Sequence, residues 1–265
     1  MRETWDKVWS KRAVFDIDEV IACDSGYRLL KRLLGKLPSE PVNILEVGCG
    51  SGIYSLALLK EMGNPASMAT LVDFSAIALD FARENAERNG VAVSLVRADA
   101  FHLPFADNTF DIVWNEGVNE HFSGDQRQLI FEEMVRVCKP GGQVAIIVPN
   151  ALNLPYRLWK RIAEARQKWE YGVEMPYTIS ELKDRMKEAG LVPVRVGGMG
   201  TLSSAIFLGR LFLWRKHENN SEMPVAKRVK RVKRILKRTA LAVDRWLGFL
   251  GAFTGAEVGV KGVKR

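Results

Sequence analysis

Short runs of β-branched and apolar residues alternate with helical patterns through the middle of the chain, and this alternation restricts the fold more than any other feature. The strand patterns cover residues 42–48, 69–73, 91–97, 110–114 and 143–148, and the helical patterns cover 51–62, 75–89 and 125–138. Strands joined through a helix run parallel, and the crossover between them is right-handed. The pattern therefore predicts an α/β fold with a doubly wound, mostly parallel sheet.

The alternation loosens after residue 149, where we predict helical insertions. A helix at 179–190 leads to a sixth strand at 191–196, and residues 256–264 alternate as a seventh, edge strand would. We divide the chain into a helical cap, one α/β domain with a lid insertion, and a second insertion. These parts are residues 1–40 for the cap, 41–200 and 256–265 for the α/β domain, about 150–178 for the lid, and 201–255 for the basic amphipathic helical insertion.

The formal net charge of +8 is distributed unevenly along the chain. Residues 215–265 hold 14 basic and 4 acidic side chains, a net of +10, which leaves residues 1–214 at −2. With 47% hydrophobic and 26% charged residues the chain can bury a core, so disordered and fibrous classes are excluded. The body of the protein is thus nearly neutral, and the positive excess lies near its C-terminal end.

Cysteine usage and hydropathy together favour a cytoplasmic setting. Cys23, Cys49 and Cys138 lie far apart and match no disulfide framework or zinc-ligand spacing. The N-terminal segment has no apolar stretch behind its charges, so we expect no secretory signal. The most apolar window, residues 199–214, is interrupted by Arg210 and is too short to span a bilayer, so we expect no transmembrane helix.

A glycine-rich turn follows the first predicted strand and opens the first helix. It reads Glu46-Val47-Gly48-Cys49-Gly50-Ser51-Gly52. Glycines here let the backbone turn tightly and approach a ligand, while the helix N-terminus offers free N–H groups. The spacing is GxGxG and not the GxGxxG of dinucleotide sites, and an acidic residue precedes the first glycine by two. The turn therefore indicates a cofactor other than a dinucleotide.

Carboxylates end the next two predicted strands. Asp73, 21 residues after Gly52, can accept both hydroxyl protons of a ribose, and Phe74 beside it can lie against a purine. Asp99, followed by Ala100, can accept a hydrogen bond from an exocyclic amine. Alone, each aspartate is equally well read as a strand-end cap or turn residue. Because parallel strands end at one edge of the sheet, together they predict a single nucleoside-binding crevice there.

At these residues the chain resembles the class I S-adenosylmethionine-dependent methyltransferases. The matching stretches are ILEVGCGSG at 44–52, LVDFS at 71–75, RADAFHLPFADNTFDIVW at 97–114 and KPGG at 139–142. They occur in the order and spacing of the family, over about residues 40–200 and 256–265. The resemblance implies a seven-stranded sheet whose last strand is antiparallel, and S-adenosyl-L-methionine as the cofactor.

The resemblance also implies roles for individual residues. The loop of Gly48, Cys49 and Gly50 would contact the methionyl part of the cofactor, in a pocket shaped by Glu46 with Asn115 beside it. Asp73 would hold the ribose, with Phe74 against the base. Asp99 and Ala100 would contact adenine.

Candidates for proton transfer follow the fourth predicted strand. His121 titrates near neutral pH and Glu116 precedes it by five residues, so both are candidate catalytic residues. The Glu120-His121 pair resembles the Glu-His step of quinone-biosynthesis O-methyltransferases. In metal-using members an acidic residue precedes that Glu by three, and here the position is Gly117, so we predict no metal site. A surface position for His121 remains the alternative.

Two insertions suggest partners. In the lid, Tyr156, Trp159, Tyr171 and Tyr177 are candidate walls of an acceptor pocket, or else they bury one another in a helical insertion. Residues 225–250 repeat apolar residues at spacings of three and four, and eight of the twelve residues 227–238 are Lys or Arg. Such a helix suits an anionic membrane surface. Packing against the domain and, less favoured, nucleic-acid binding are the alternatives.

These observations predict a methyltransferase that acts on a small, lipophilic or membrane-associated acceptor. The protein would be cytoplasmic, with peripheral attachment to the inner face of a membrane. The first alternative is an RNA methyltransferase that uses the basic insertion to bind its substrate. The second is a catalytically silent, cofactor-binding partner protein.

Overall fold

The computed structural model describes residues 2–10, 15–200 and 255–265. The predicted basic insertion, apart from Gly255, and its helix at 225–250 lie outside the described residues. Within the ranges described, no helix combines the length and apolar character needed to cross a bilayer.

Seven strands form one sheet in the order β3-β2-β1-β4-β5-β7-β6. Their bounds are Asn43–Val47 (β1), Met68–Asp73 (β2), Ser94–Arg97 (β3), Phe110–Glu116 (β4), Cys138–Pro149 (β5), Leu191–Met199 (β6) and Glu257–Lys264 (β7). The first five strands pair in parallel, and β7 lies antiparallel between β5 and β6. This confirms the predicted doubly wound, mostly parallel sheet with an antiparallel last strand. Because β7 runs backwards, its first residue, Glu257, lies at the edge where the parallel strands end.

Eight α-helices belong to the described residues. They are Arg2–Trp9 (α1), Ile17–Cys23 (α2), Ser25–Leu34 (α3), Ile53–Met62 (α4), Ala76–Asn89 (α5), Asp125–Val137 (α6), Leu154–Ala165 (α7) and Ile179–Glu188 (α8). A short 3₁₀ turn, Asn119–His121, follows β4. The N-terminal cap is thus helical, and α7 forms the helical part of the lid. The division of the chain into separate cap, lid and catalytic units stays a prediction.

Alternate side chains of the strands build two hydrophobic cores, one on each face of the sheet. Ile44 packs with α2, α3, α4 and α5 on one face, whereas Leu45, next to it, packs with α6 and α8 on the other. This period of two follows from the pleat of a strand that is buried on both sides. It explains why the strand sequences are continuously apolar.

Two strands begin three or more residues away from their predicted starts. β3 begins at Ser94 and not at residue 91, because residues 91–93 still belong to the loop that follows α5. β5 begins at Cys138 and not at the predicted residue 143, so it includes the Lys-Pro-Gly-Gly stretch. There the register with β4 shifts between Phe110 and Ile112, which marks an irregularity that accommodates the extra residues. Gly141, with φ of 77°, allows the bend.

Candidate active site

A cavity of about 1090 Å³ opens at the carboxyl edge of the sheet. The ends of β1, β2 and β4, the segment after β3 and the start of β7 line it, and Trp5 and Trp9 of α1 lie over it. Ten of the predicted site residues line this cavity. They are Glu46, Gly48, Cys49, Gly50, Asp73, Phe74, Asp99, Ala100, Glu116 and His121.

The glycine turn after β1 leaves no room for side chains. Gly48 and Gly50 have φ values of 70° and 51°, in the left-handed region that glycine adopts without strain. A Cβ atom on Gly48 would overlap the side chain of Val118, and one on Gly50 would overlap the indole of Trp9. The backbone therefore borders the cavity directly, which is the arrangement that a closely approaching ligand requires.

Asp73, at the end of β2, is held by backbone amides. Its Oδ2 accepts a hydrogen bond from the N–H of Gly50 at 3.0 Å, and its Oδ1 accepts one from the N–H of Ser75 at 2.9 Å. The residue is 5% exposed, and burial raises its pKa while these amide bonds oppose the rise. The carboxylate is thus oriented before any ligand arrives, and each oxygen keeps a lone pair for a ligand hydroxyl.

Glu46, at the β1 end of the cavity, has an unpaired oxygen. It is 6% exposed, and its Oε2 has no hydrogen-bond partner among the described residues. Burial raises the pKa of this carboxyl to about 8. A buried polar atom without a partner is costly, so a ligand donor or a proton is expected at this oxygen.

The loop after β3 carries Asp99 and Ala100. Asp99 is exposed and accepts a hydrogen bond from the N–H of Phe101 at 3.0 Å, which shapes the turn. Arg136 of α6, which sequence reasoning missed, holds the loop by donating to the carbonyls of Leu103 and Phe105 at 2.9 and 2.7 Å. The loop therefore has an anchor outside the motif that predicted it.

His121 lies at the cavity with one ring nitrogen engaged. Nδ1 is 2.8 Å from the carbonyl oxygen of Val173, which can only accept, so Nδ1 carries the proton. Nε2 lies 3.7 Å from Oε1 of Glu120, and the edge of the ring packs against Trp5 with centroids 5.0 Å apart. Burial lowers the pKa of His121. The imidazole is therefore neutral at pH 7, and Nε2 is its accepting atom.

Glu116 contacts a second carboxyl that sequence reasoning did not single out. Its carboxyl group interacts electrostatically with that of Glu257, and both residues line the cavity. Burial raises the pKa of both groups, that of Glu257 to about 7. The signal in the sequence was the reversed direction of the seventh strand, which brings its first residue to the edge where β4 ends.

Five predicted site residues do not line the cavity. Asn115 is fully buried, and its Nδ2 donates to Oδ1 of Asn119 at 2.6 Å. The other four are the lid aromatics Tyr156, Trp159, Tyr171 and Tyr177. Asn115 faces away because successive side chains of a strand alternate, and its neighbour Glu116 takes the cavity side.

The lid aromatics mostly pack against their own segment. Tyr156 hydrogen-bonds Glu174, and Trp159 packs on Trp169 with centroids 5.4 Å apart. Tyr177 is fully buried in the core. Tyr171 alone of the four reaches α1, where its ring lies 6.2 Å from that of Trp5.

The part of the chain that the structure describes contains no group of three or more His, Cys, Asp or Glu side chains placed to hold a metal ion. Glu116 and Glu257 form a pair, and Glu120 contacts His121 in a separate place.

A sheet of this order, with a glycine turn after its first strand and aspartates after the next two, defines the class I S-adenosylmethionine-dependent methyltransferases, and the chain belongs to this family. A family model described as a methyltransferase domain matches residues 44–142. A demethylmenaquinone methyltransferase from Staphylococcus aureus (strain JH9) is 30% identical over 220 residues, which cover 77% of this chain and 82% of the relative. The cofactor is accordingly S-adenosyl-L-methionine.

Two solved structures share the fold across most of the chain. A methyltransferase from Thermotoga maritima matches with a TM-score of 0.60 and 16% identity, covering 100% of this chain and 99% of its own. A geranyl diphosphate methyltransferase, solved in complex with GPP and sinefungin, matches with a TM-score of 0.56 and 17% identity over 90% of this chain and 77% of its own.

Proposed function

We propose that this methyltransferase acts on a small, lipophilic acceptor of the quinone type, such as reduced demethylmenaquinone. The observation that carries the proposal is the mixed lining of the cavity. It includes the glycine turn and two aspartates, and it also includes the apolar side chains of Trp5, Val118, Phe101 and Phe122. The ring centroids of Phe101 and Phe122 lie 4.8 Å apart. A flat apolar ring suits these walls, and the relative's name supports this acceptor class.

The cofactor side fits S-adenosylmethionine on two observations. The turn of Gly48, Cys49 and Gly50 lines the cavity without side chains on its two glycines, and Oε2 of Glu46 has no partner among the described residues. In the proposal, Glu46 and the turn hold the methionyl group and Asp73 accepts from the ribose hydroxyls. Phe74, Asp99 and Ala100 border the adenine. Once bound, the cofactor supplies an electrophilic methyl group on a sulfonium.

The chain's own contribution to the reaction is position and proton removal. Holding acceptor and methyl group in line supplies roughly 7–11 kcal/mol in favourable cases. His121 and Glu116 border the same cavity and are the candidate proton acceptors. The lid residues Tyr156, Trp159, Tyr171 and Tyr177 would shape the acceptor side indirectly, by packing the segment that contacts α1 and His121.

We also propose that residues 225–250 bring the enzyme to an anionic membrane, where a lipophilic acceptor is concentrated. The support is the sequence alone, through its density of Lys and Arg along an apolar stripe. Flotation of the full chain with anionic and with neutral vesicles tests this. Binding to anionic vesicles that is lost at high salt is expected, and equal recovery with both vesicle types would contradict it.

The acceptor class is tested by transfer of radiolabelled methyl from S-adenosylmethionine. The wild type is incubated with reduced demethylmenaquinone in detergent, and in parallel with total RNA. Label extracted with the quinone in organic solvent is the expected result, and it should be absent from Asp73→Ala. Label in RNA alone would favour the RNA methyltransferase interpretation and overturn this proposal.

A further inference from the structure

Glu116 and Glu257 come from distant parts of the chain and face the same side of the sheet. Glu116 pairs with Ile147 of β5, and Glu257 pairs with Pro149 on the other side of that strand. Residues two apart on a strand point to the same face, and paired residues share a face. Both side chains therefore lie on the face of Ile147, at the carboxyl edge of the sheet, and both line the cavity.

The two carboxyl groups line the same cavity and interact electrostatically with each other. Two carboxylates in such a place repel each other, so the pair favours retention of one proton. Oε2 of Glu257 is buried and has no hydrogen-bond partner among the described residues. Each residue is still partly exposed, because the cavity reaches it. The pair can therefore hold a proton and exchange it with a ligand in the cavity.

The groups around the pair are acidic or already engaged. The strongest charges acting on it are Asp24 before α3, Glu46 of β1 and Glu174 of the lid. Tyr54 of α4 donates its hydroxyl to Oδ1 of Asp24 at 2.6 Å and is not aimed at the pair. Glu120 of the 3₁₀ turn also interacts electrostatically with Glu257. This surrounding negative charge favours retention of one proton near neutral pH.

We propose that Glu116 and Glu257 act together as the general base that receives the proton lost by the methyl acceptor. This inference rests on the proposed function and adds Glu257 to the catalytic residues. One carboxylate takes the proton of an acceptor hydroxyl, and the O–H electrons pass through the ring to the carbon that bonds the methyl. The C–S electrons stay on sulfur, which becomes a neutral thioether.

The remaining steps balance the reaction. The hydrogen on the methylated ring carbon moves to the oxygen and restores the hydroxyl. The net loss from the acceptor is one proton, which the pair holds and then releases to water through the cavity. No oxidant or reductant is consumed, because the acceptor enters and leaves as a hydroquinone.

His121 is the less suitable proton acceptor of the two sites. Its side chain is 7% exposed, Nδ1 is occupied by the Val173 carbonyl, and Nε2 faces Glu120. Trp5 covers the ring edge. We assign His121 the role of a positioning residue that links α1, the lid and the 3₁₀ turn.

The test compares Glu116→Gln, Glu257→Gln and Glu257→Asp with the wild type, using reduced demethylmenaquinone as acceptor. Both glutamine variants should lower kcat by about 100-fold, the low end for loss of a general base. Glu257→Asp should recover part of the rate, and the affinity for S-adenosylmethionine by calorimetry should stay unchanged. Glu188→Gln, at the exposed end of α8, is the matched control and should retain full activity.

The pH profile of kcat separates a base from a merely structural residue. In the wild type the rate should rise as pH passes through the pKa of Glu257, which burial raises to about 7. Removal of the neighbouring charge lowers the pKa of the remaining carboxyl, so the residual activity of Glu257→Gln should rise at lower pH. An unchanged midpoint and kcat would overturn the proposal. So would weaker cofactor binding with unchanged kcat, which would make the pair a cofactor contact.

An acceptor-free measurement keeps the inference separate from the choice of acceptor. Infrared spectra of the full chain with S-adenosylmethionine are recorded across neutral pH. The wild type should show a protonated-carboxyl band that titrates there, and part of that band should vanish in Glu257→Gln but not in Glu188→Gln. If this band is present and quinone is not methylated, only the proposed acceptor fails. If Glu257→Gln leaves the band unchanged, the shared proton is refuted.

Discussion

The two proposed halves of the cavity, one for the cofactor and one for the acceptor, are built in different ways. The cofactor half comes from one stretch of chain, where three strands end in turn and backbone amides already hold Asp73. The acceptor half collects side chains from α1, the ends of β4 and β7 and the 3₁₀ turn. There, the carboxyl groups of Glu116 and Glu257 interact with each other, and no backbone amide of the described residues orients them in the same way.

This difference separates binding from reactivity. A carboxylate satisfied by backbone amides is rigid and stays charged when a ligand arrives, as recognition of ribose hydroxyls requires. A carboxyl pair that depends on a shared proton changes its charge when a ligand or a proton moves, as proton transfer requires. We expect damage in one half to leave the other intact, and four variants test that expectation.

The largest effect is expected for Asp73→Ala in the cofactor half. The change removes the acceptor for the ribose and frees the Gly50 amide that Oδ2 now holds. Hydrogen bonds to a charged group contribute about 1.5–3 kcal/mol each, so the Kd for S-adenosylmethionine should rise by at least about 100-fold. Calorimetry measures it, with the exposed Asp80→Ala of α5 as control. An unchanged Kd would refute the cofactor half as assigned.

Arg127→Met probes the acceptor half, through stability. Arg127 is 8% exposed, donates to Glu181 at 2.9 Å and to the Met175 carbonyl at 2.7 Å, and covers the Tyr177 ring. Loss of one partner of a buried pair costs about 3–5 kcal/mol, and Glu181 is one-third exposed, so about 2 kcal/mol is expected. Denaturant unfolding measures it.

Arg185→Met is the matched control, since Arg185 contacts the same Glu181 from a more exposed position. Its cost should stay below about 1 kcal/mol. Folded Arg127→Met should bind S-adenosylmethionine like the wild type. A weaker affinity in that variant would show that the lid and the cofactor half are coupled, and would break the comparison drawn above.

Most of the fold was predictable because its determinants are local. Continuous apolar strands, capped helices and a glycine turn each follow from neighbouring residues, and Asp73 and Asp99 could be placed at one edge from strand direction alone. The start of β5 was wrong for a local reason as well. The Lys-Pro-Gly-Gly stretch has turn composition, but pairing with β4 incorporates it into the strand with an irregular register.

The acceptor half was predictable only in part, because it depends on contacts between distant residues. Glu257 follows a long insertion and carries no motif, so its contact with Glu116 appears only once β7 is placed beside β5. Tyr177 follows the other lid aromatics in the sequence, but its side chain is buried beneath Arg127. Asn115 and Glu116 are adjacent in sequence and point to opposite faces of the sheet. Which of the two reaches the cavity depends on where β4 ends, and sequence alone places that end only to within a residue or two.

Glu46→Gln should change the pH dependence of protein stability and, separately, the affinity for the cofactor. The folded protein keeps a proton on Glu46 up to pH about 8, whereas the unfolded chain releases it near the ordinary value of 4.5. Between these values the native state binds more protons, so this residue makes stability fall as pH rises, by on the order of 1 kcal/mol per pH unit.

The glutamine variant removes this slope. Without cofactor, the stability of Glu46→Gln relative to the wild type should increase with pH across that window, as measured by denaturant unfolding at several pH values. Its affinity for the cofactor should fall, because an amide cannot give up a proton and become an anion beside the cationic amino group of the cofactor, as the carboxyl can. Glu188→Gln should leave the slope as it is. A parallel pH dependence in Glu46→Gln and wild type would mean that Glu46 is ionised like an ordinary surface carboxyl.

The smallest effect is expected for Asp99→Asn, at the exposed rim of the cofactor half. Asparagine keeps an oxygen for the Phe101 amide, and solvent already competes for the carboxylate, so the Kd for S-adenosylmethionine should rise only about threefold.

The informative probe for Asp99 is the inosine analogue of the cofactor, in which a carbonyl replaces the exocyclic amine. An Asp99 carboxylate can only accept, so it should reject that carbonyl, whereas the asparagine amide can donate to it. The variant should therefore narrow the preference for adenine over hypoxanthine, and Asp107→Asn, in the same loop but paired with Arg136, should not. If both variants keep the full preference, adenine is selected by the backbone around Ala100, and the cofactor half depends on its main chain even at this rim.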